Sequence, residues 1–92
     1  MIETFRHKGL KLLWEKGNRS KLPAVQVAKI RLILTLLHAA KVAEDTNFPG
    51  SDFHRLKGDL MGYYAVKVTG NYRVIFRFED GDAFDIDYID YH

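Results

Sequence analysis

From residue 53 onward the apolar positions recur with a period of two: Tyr64, Val66 and Val68, then Tyr72, Val74, Phe76 and Phe78, then Phe84, Ile86 and Tyr88. That period belongs to strands buried on one face. The runs are parted by Thr69-Gly70-Asn71 and by Glu79-Asp80-Gly81-Asp82, short polar turns of the kind that close hairpins. A further strand over 53–57 leads into the glycine-bounded turn Gly58-Asp59-Leu60-Met61-Gly62. Upstream, the period changes to that of a helix. Leu10, Leu13 and Trp14, closed by Gly17, predict a short helix over 7–16. Pro23 sits in the first turn of a second, longer one, along which Val27, Ile30, Leu34 and Leu37 repeat and Ile33, Leu36 and Ala40 widen the stripe. The breaker-rich segment 44–52 ends it.

Two helices followed by consecutive hairpins predict an α+β domain, with both helices on one face of an antiparallel meander. The opening Met1-Ile2-Glu3-Thr4-Phe5 reads as a short strand pairing at an edge or the centre of the same sheet. No repeat or linker divides the chain, so residues 1–92 form one domain. The opposite strand parity carries Lys67, Arg73, Ile75, Arg77, Asp85 and Asp87, so the second sheet face is expected to meet solvent or a ligand.

Composition narrows the chemistry. The 92 residues are 47% apolar, enough for a core without staples. The absence of cysteine excludes disulfides, thiolate zinc sites and thiol catalysis, and it fits a reducing compartment. No apolar leader and no membrane-length run is seen, so no membrane partner is expected. The net charge of +2 conceals an asymmetry. Residues 1–43 carry nine Lys or Arg against two acidic residues, a net of +7, whereas residues 44–92 carry five against ten, a net of −5. A basic surface for a polyanion is one reading of this and a solvated helix surface is the other.

Phosphate-binding glycine loops, HExxH, EF-hand loops and GxSxG are all absent from the sequence. What remains is a set of polar residues near strand ends: His54, Lys57, Arg73, Asp90, Tyr91 and His92. Neighbouring strands lie about 4.8 Å apart, so such residues can converge at one end of a sheet. At His92, Asp90 and a terminal carboxylate would favour the imidazolium, which donates a proton, unless the end is simply solvated. Strand parity puts His54 with Leu56 and sets Arg55 and Lys57 opposite, unless a bulge or bend intervenes. Arg73 points from the non-core face and would either fork onto a phosphate or pair with Asp85 or Asp87. Tyr91 could stack on a base or hydrogen-bond a phosphate, whereas Tyr64, Tyr72 and Tyr88 share core parity. His7 and His38 read as structural.

The segments Leu56-Lys57-Gly58, Tyr64-Ala65-Val66-Lys67-Val68, Asn71-Tyr72-Arg73-Val74-Ile75-Phe76 and the closing Asp90-Tyr91-His92, with Gly62 and Gly81-Asp82, resemble the HigB branch of the RelE/ParE toxin superfamily. Met1-Ile2, Phe5, His7-Lys8-Gly9-Leu10-Lys11 and Glu15-Lys16-Gly17 extend the resemblance over nearly the whole chain, although residues 29–53 match least. Tyr72 stands where family members carry tryptophan. The resemblance implies a RelE-like fold and a cytoplasmic toxin that cleaves messenger RNA in the ribosomal A site without a metal or other cofactor, restrained by a helix-turn-helix antitoxin.

The implied chemistry is attack of the 2′-hydroxyl on the adjacent phosphorus, leaving a 2′,3′-cyclic phosphate. It assigns His92 as acid, His54 or Asp90 as base, Lys57 and Arg73 as a clamp on the phosphorane, and Tyr91 as orienter. Lys8, Lys11, Lys16, Arg19 and Lys21 would dock on ribosomal RNA or message. A non-catalytic DNA gyrase inhibitor of the ParE kind and an RNA-binding accessory domain are the alternatives on the same scaffold.

Overall fold

The computed structural model of the chain describes residues 1–91. Helix α1 spans Lys8–Lys16 and helix α2 spans Val27–Ala39. The strands are β1 (His54–Arg55), β2 (Tyr64–Thr69), β3 (Tyr72–Glu79) and β4 (Asp82–Asp90), antiparallel neighbours in the order β1-β2-β3-β4. This is the expected α+β meander.

Local chemistry sets the helix ends. His7 caps α1, its Nδ1 accepting the Leu10 N–H at 3.2 Å. Gly17, at φ +68°, closes the helix in the left-handed conformation with its N–H on the Leu13 carbonyl, and Asn18 donates to the Leu12 carbonyl. Pro23 does not enter α2. It instead precedes a separate 3-10 turn, Ala24–Gln26, which hands the chain to the helix. After α2, the Asp45 carboxylate accepts the N–H groups of Lys41 and Val42, which hold it below its ordinary range.

The core lies between the helices and one sheet face. Leu10, Leu13, Ile30, Ile33, Leu34 and Leu37 from the helices meet Val66, Val68, Val74 and Phe76 from β2 and β3, with Ala83 and Ile86 from β4. The opposite face carries a small buried apolar cluster, Leu56, Ala65 and Ile75, on which Leu60, Tyr63 and Ile89 pack.

Three sequence expectations are corrected. The N-terminal segment is no continuous strand: it makes isolated parallel bridges to β4, Ile2 with Ala83 and Phe5 with Ile86. Between them β4 bulges at Asp85, whose φ is +52°, and the Thr4 hydroxyl accepts the Asp85 N–H at 2.8 Å in place of a ladder carbonyl. The same bulge shifts the pairing from Ile75 with Asp87 to Arg77 with Phe84. Phe84 therefore leaves the parity of Ile86 and Tyr88 and shares the face of Arg77. Finally, β1 holds only His54 and Arg55. Leu56 still donates to the Tyr63 carbonyl, and the chain then turns at Gly58, φ +67°, into the 3-10 turn Gly58–Leu60.

Gly9 shows how tightly α1 is seated, because a Cβ there would lie 2.8 Å from His7 Cε1 and 3.1 Å from Lys21 Cβ. A helical Gly→Ala change ordinarily gains close to 1 kcal/mol. Here Gly9→Ala should instead destabilise the chain by about 1–3 kcal/mol through overpacking, measured by urea unfolding.

Candidate RNA-cleavage site

The register of the meander determines which side chains meet. On the face away from the helices, Lys67 of β2 and Ile89 of β4 flank Arg73 of β3. The adjacent row holds His54, Ala65, Ile75 and Asp87. Tyr91 follows Ile89 by two residues and returns to this face. Its N–H donates to the Asn71 carbonyl at 2.8 Å, and its ring centroid lies 6.3 Å from that of His54. His54, Arg73 and Tyr91 thus gather where the end of β4 meets the β2–β3 turn and the entry to β1.

Arg73 is held in place. Its side chain is only 12% exposed, one guanidinium nitrogen donates to the carbonyls of Gly70 (2.8 Å) and Tyr72 (3.2 Å), and the other lies 3.6 Å from the Asp52 carboxylate. Its Nε is buried and finds no partner among the described residues. The expected alternative partners, Asp85 and Asp87, do not take it; Asp52 does. The Asp52 carbonyl also accepts from His54 Nδ1 at 2.8 Å. Asp52 stands at φ +48°, a conformation that nothing in a one-dimensional pattern reveals beyond its place at the end of a breaker-rich run. Sequence reasoning missed both Asp52 and the placement of Lys67 beside Arg73.

The other candidates are distributed differently. Asp90 is in register with Tyr72 and two residues beyond Tyr88, so its strand position belongs to the helix side of the sheet, not to that of His54. Lys57 is exposed, one residue past the Leu56–Tyr63 pair and further along the sheet from Arg73. It stands at the base of the turn that folds Leu60 onto the free face. His92 lies outside the described residues. As expected, His7 and His38 are structural: His38 Nδ1 accepts the Ile2 N–H at 3.2 Å, and its ring packs on Trp14.

Lys8, Lys11 and Lys16 occupy the exposed side of α1, and Arg19 and Lys21 the exposed link after it. They belong to the helix layer, on the other side of the sheet from His54. Two ring contacts connect them to the same end of the molecule. Lys21 and His7 both lie against Gly9, His7 meets Tyr88 edge-on at 5.5 Å, and Tyr88 stacks on Tyr72, the residue before Arg73. The Tyr88 hydroxyl donates to the buried Gln26 side chain. At the other end of the free face, Arg6 donates to the Tyr63 hydroxyl at 3.2 Å; that bond, with the charges of Asp87 and Asp85, raises the Arg6 pKa.

Comparison with known proteins agrees with this architecture. The chain shares its fold with a chain of the YoeB–YefM complex from Staphylococcus aureus, aligning over 97% of its length and 95% of that chain with a TM-score of 0.58 at 20% identity. A conserved hypothetical protein of Helicobacter pylori aligns over 95% of this chain and 91% of its own with a TM-score of 0.52 at 11% identity. The profile of the HigB-like toxins, described as RelE-like toxins of type II toxin–antitoxin systems, matches residues 3–92, and the chain belongs to that family. It is 44% identical over 92 residues to the endoribonuclease HigB of Proteus vulgaris, covering all of both chains. It is 34% identical over 95 residues to the toxin HigB-1 of Vibrio cholerae, covering all of this chain and 98% of the other.

Burial, followed by the charge of nearby Tyr72, raises the Tyr88 hydroxyl above its ordinary pKa of 10.0. The folded chain holds that proton more tightly than the unfolded one. The resulting stability is complete below pH 10 and is lost as pH climbs through the raised value. Tyr88→Phe, which strands the Gln26 oxygen, should cost about 1–3 kcal/mol at pH 8. The gap to the parent should narrow above pH 10 when unfolding is followed across alkaline pH.

Proposed function

We propose that this chain is a metal-independent endoribonuclease that cuts messenger RNA in the ribosomal A site, and so arrests translation as the toxin of a cytoplasmic pair. Its antitoxin would be a helix-turn-helix protein. The observation that carries this reading is the convergence of an imidazole, a braced guanidinium and an exposed phenol, from His54, Arg73 and Tyr91, on the sheet face that the helices leave free. The name of the Proteus vulgaris relative, an endoribonuclease aligned end to end, supports it.

In this mechanism the substrate supplies the nucleophile. A base removes the 2′-hydroxyl proton, the freed oxygen attacks the neighbouring phosphorus, and the bond to the 5′-oxygen breaks as that oxygen takes a proton from an acid. The products are a 2′,3′-cyclic phosphate and a 5′-hydroxyl. His54 is the base, because Asp90 occupies a position on the opposite side of the sheet. His92 is the acid, as the family resemblance implies. Arg73, beside Lys67, meets the charge that builds on the phosphorane, and Lys57 approaches from the turn. Tyr91 orients the nucleotide. The lysines of α1 and its link face ribosomal RNA, where their charge contributes without taking part in the chemistry.

Primer extension on translated message after induction tests the reading. New 5′ ends at codons are expected, and His54→Ala or His92→Gln should reduce their appearance about 10²- to 10⁴-fold. Gyrase-linked DNA breaks without new RNA ends, or neither signal, would refute it.

A further inference from the structure

Among the described residues three non-glycine positions adopt positive φ, namely Asp52, Asp80 and Asp85, and only Asp52 touches the site. Its surroundings hold it there. Ser51 is buried; its carbonyl accepts the Lys67 N–H at 2.7 Å, and its hydroxyl donates to the Asn47 side chain at 3.0 Å. Three residues later His54 is in register with Ala65, two positions back along the same strand. Between these anchors, Phe53 stacks on Tyr64 at 5.6 Å on the helix side. The left-handed turn at Asp52 lets the chain put Phe53 on one face and His54 on the other, and it turns the Asp52 carbonyl onto the imidazole.

A carbonyl oxygen only accepts, so the 2.8 Å contact requires a proton on His54 Nδ1. In the neutral ring the lone pair is then confined to Nε2. We propose that Asp52 is a positioning residue whose left-handed backbone fixes the His54 tautomer, leaving Nε2 as the atom that takes the ribose 2′-hydroxyl proton. The role lies in the backbone; the carboxylate lies 3.6 Å from the Arg73 guanidinium but is not needed to hold the imidazole. This inference rests on the reading of the chain as an RNA-cleaving toxin, but its first readout does not.

Two substitutions separate conformation from charge. Asp52→Gly and Asp52→Val both remove the carboxylate, yet glycine accepts positive φ and a β-branched side chain resists it. Side-chain 15N NMR of the full-length protein should show His54 protonated on Nδ1 in the parent and in Asp52→Gly, and shifted toward the Nε2–H form in Asp52→Val. With ribosome-bound message, Asp52→Val should lower kcat about 10- to 100-fold with little change in KM, and Asp52→Gly should restore kcat to within about threefold of the parent. Equal spectra and equal kcat in the two variants would overturn the proposal. If the valine variant does not fold, the parent spectrum decides alone, since an Nε2–H ring there excludes the proposed contact. A parent that shows the Nδ1–H ring but cuts no message would sink the nuclease reading and leave the bend's hold on the tautomer standing.

Discussion

The register of β2, β3 and β4 is the constraint on which the site depends. In a strand, slipping the pairing by one residue exchanges the two faces. Here it would send Arg73 and Ile75 into the helix layer and bring Val74 and Phe76 out. The core prevents this, because Val66, Val74 and Phe76 are fully buried beneath α1 and α2. Burying an aliphatic or aromatic side chain is worth about 1.5–3 kcal/mol, so moving several of them into water outweighs any gain a slipped register could offer. The apolar face thus dictates, at a distance, where the charged residues of the other face stand.

That division of labour explains how a small chain carries both a core and a candidate site on the face opposite it. Helices cover one side of the sheet, and the buried apolar cluster on the other is small, built on Leu56, Ala65 and Ile75. Around it stand Arg73, Lys67, His54 and Tyr91 at one end and Arg6 and Arg77 toward the other, with Asp87 between. The acidic turn Glu79-Asp80-Gly81-Asp82 lies at the end of the sheet opposite the β2–β3 turn. The acidic turn and the Arg73–Lys67 pair therefore stand at opposite ends of the sheet.

Much of this could be read from the amino-acid order. Strict alternation through residues 64–78 identifies both faces of β2 and β3, and the helical stripe from Val27 to Leu37 identifies what covers one of them. Asp85 marks where that reasoning fails: alternation assumes no inserted residue, and the bulge there turns Phe84 to the other face. Pattern alone was also insufficient for the site. The residue types near strand ends could be named, but Asp90 and Tyr91 fall on opposite sides of the sheet, and the partner of Arg73 is a loop carboxylate reached only through a left-handed turn. Such turns depend on tertiary anchors, here Lys67 on Ser51, which no local signal encodes.

The most direct test is to map the face that receives RNA. An oligonucleotide lacking the 2′-hydroxyl at the cleavage position cannot react and can be titrated into 15N-labelled protein while amide shifts are followed. Shifts concentrated at residues 52–54, 67, 71–73 and 89–91 are predicted, with the exposed side of α2 unaffected. Shifts confined to the helix layer, with residues 54, 73 and 91 silent, would contradict the account.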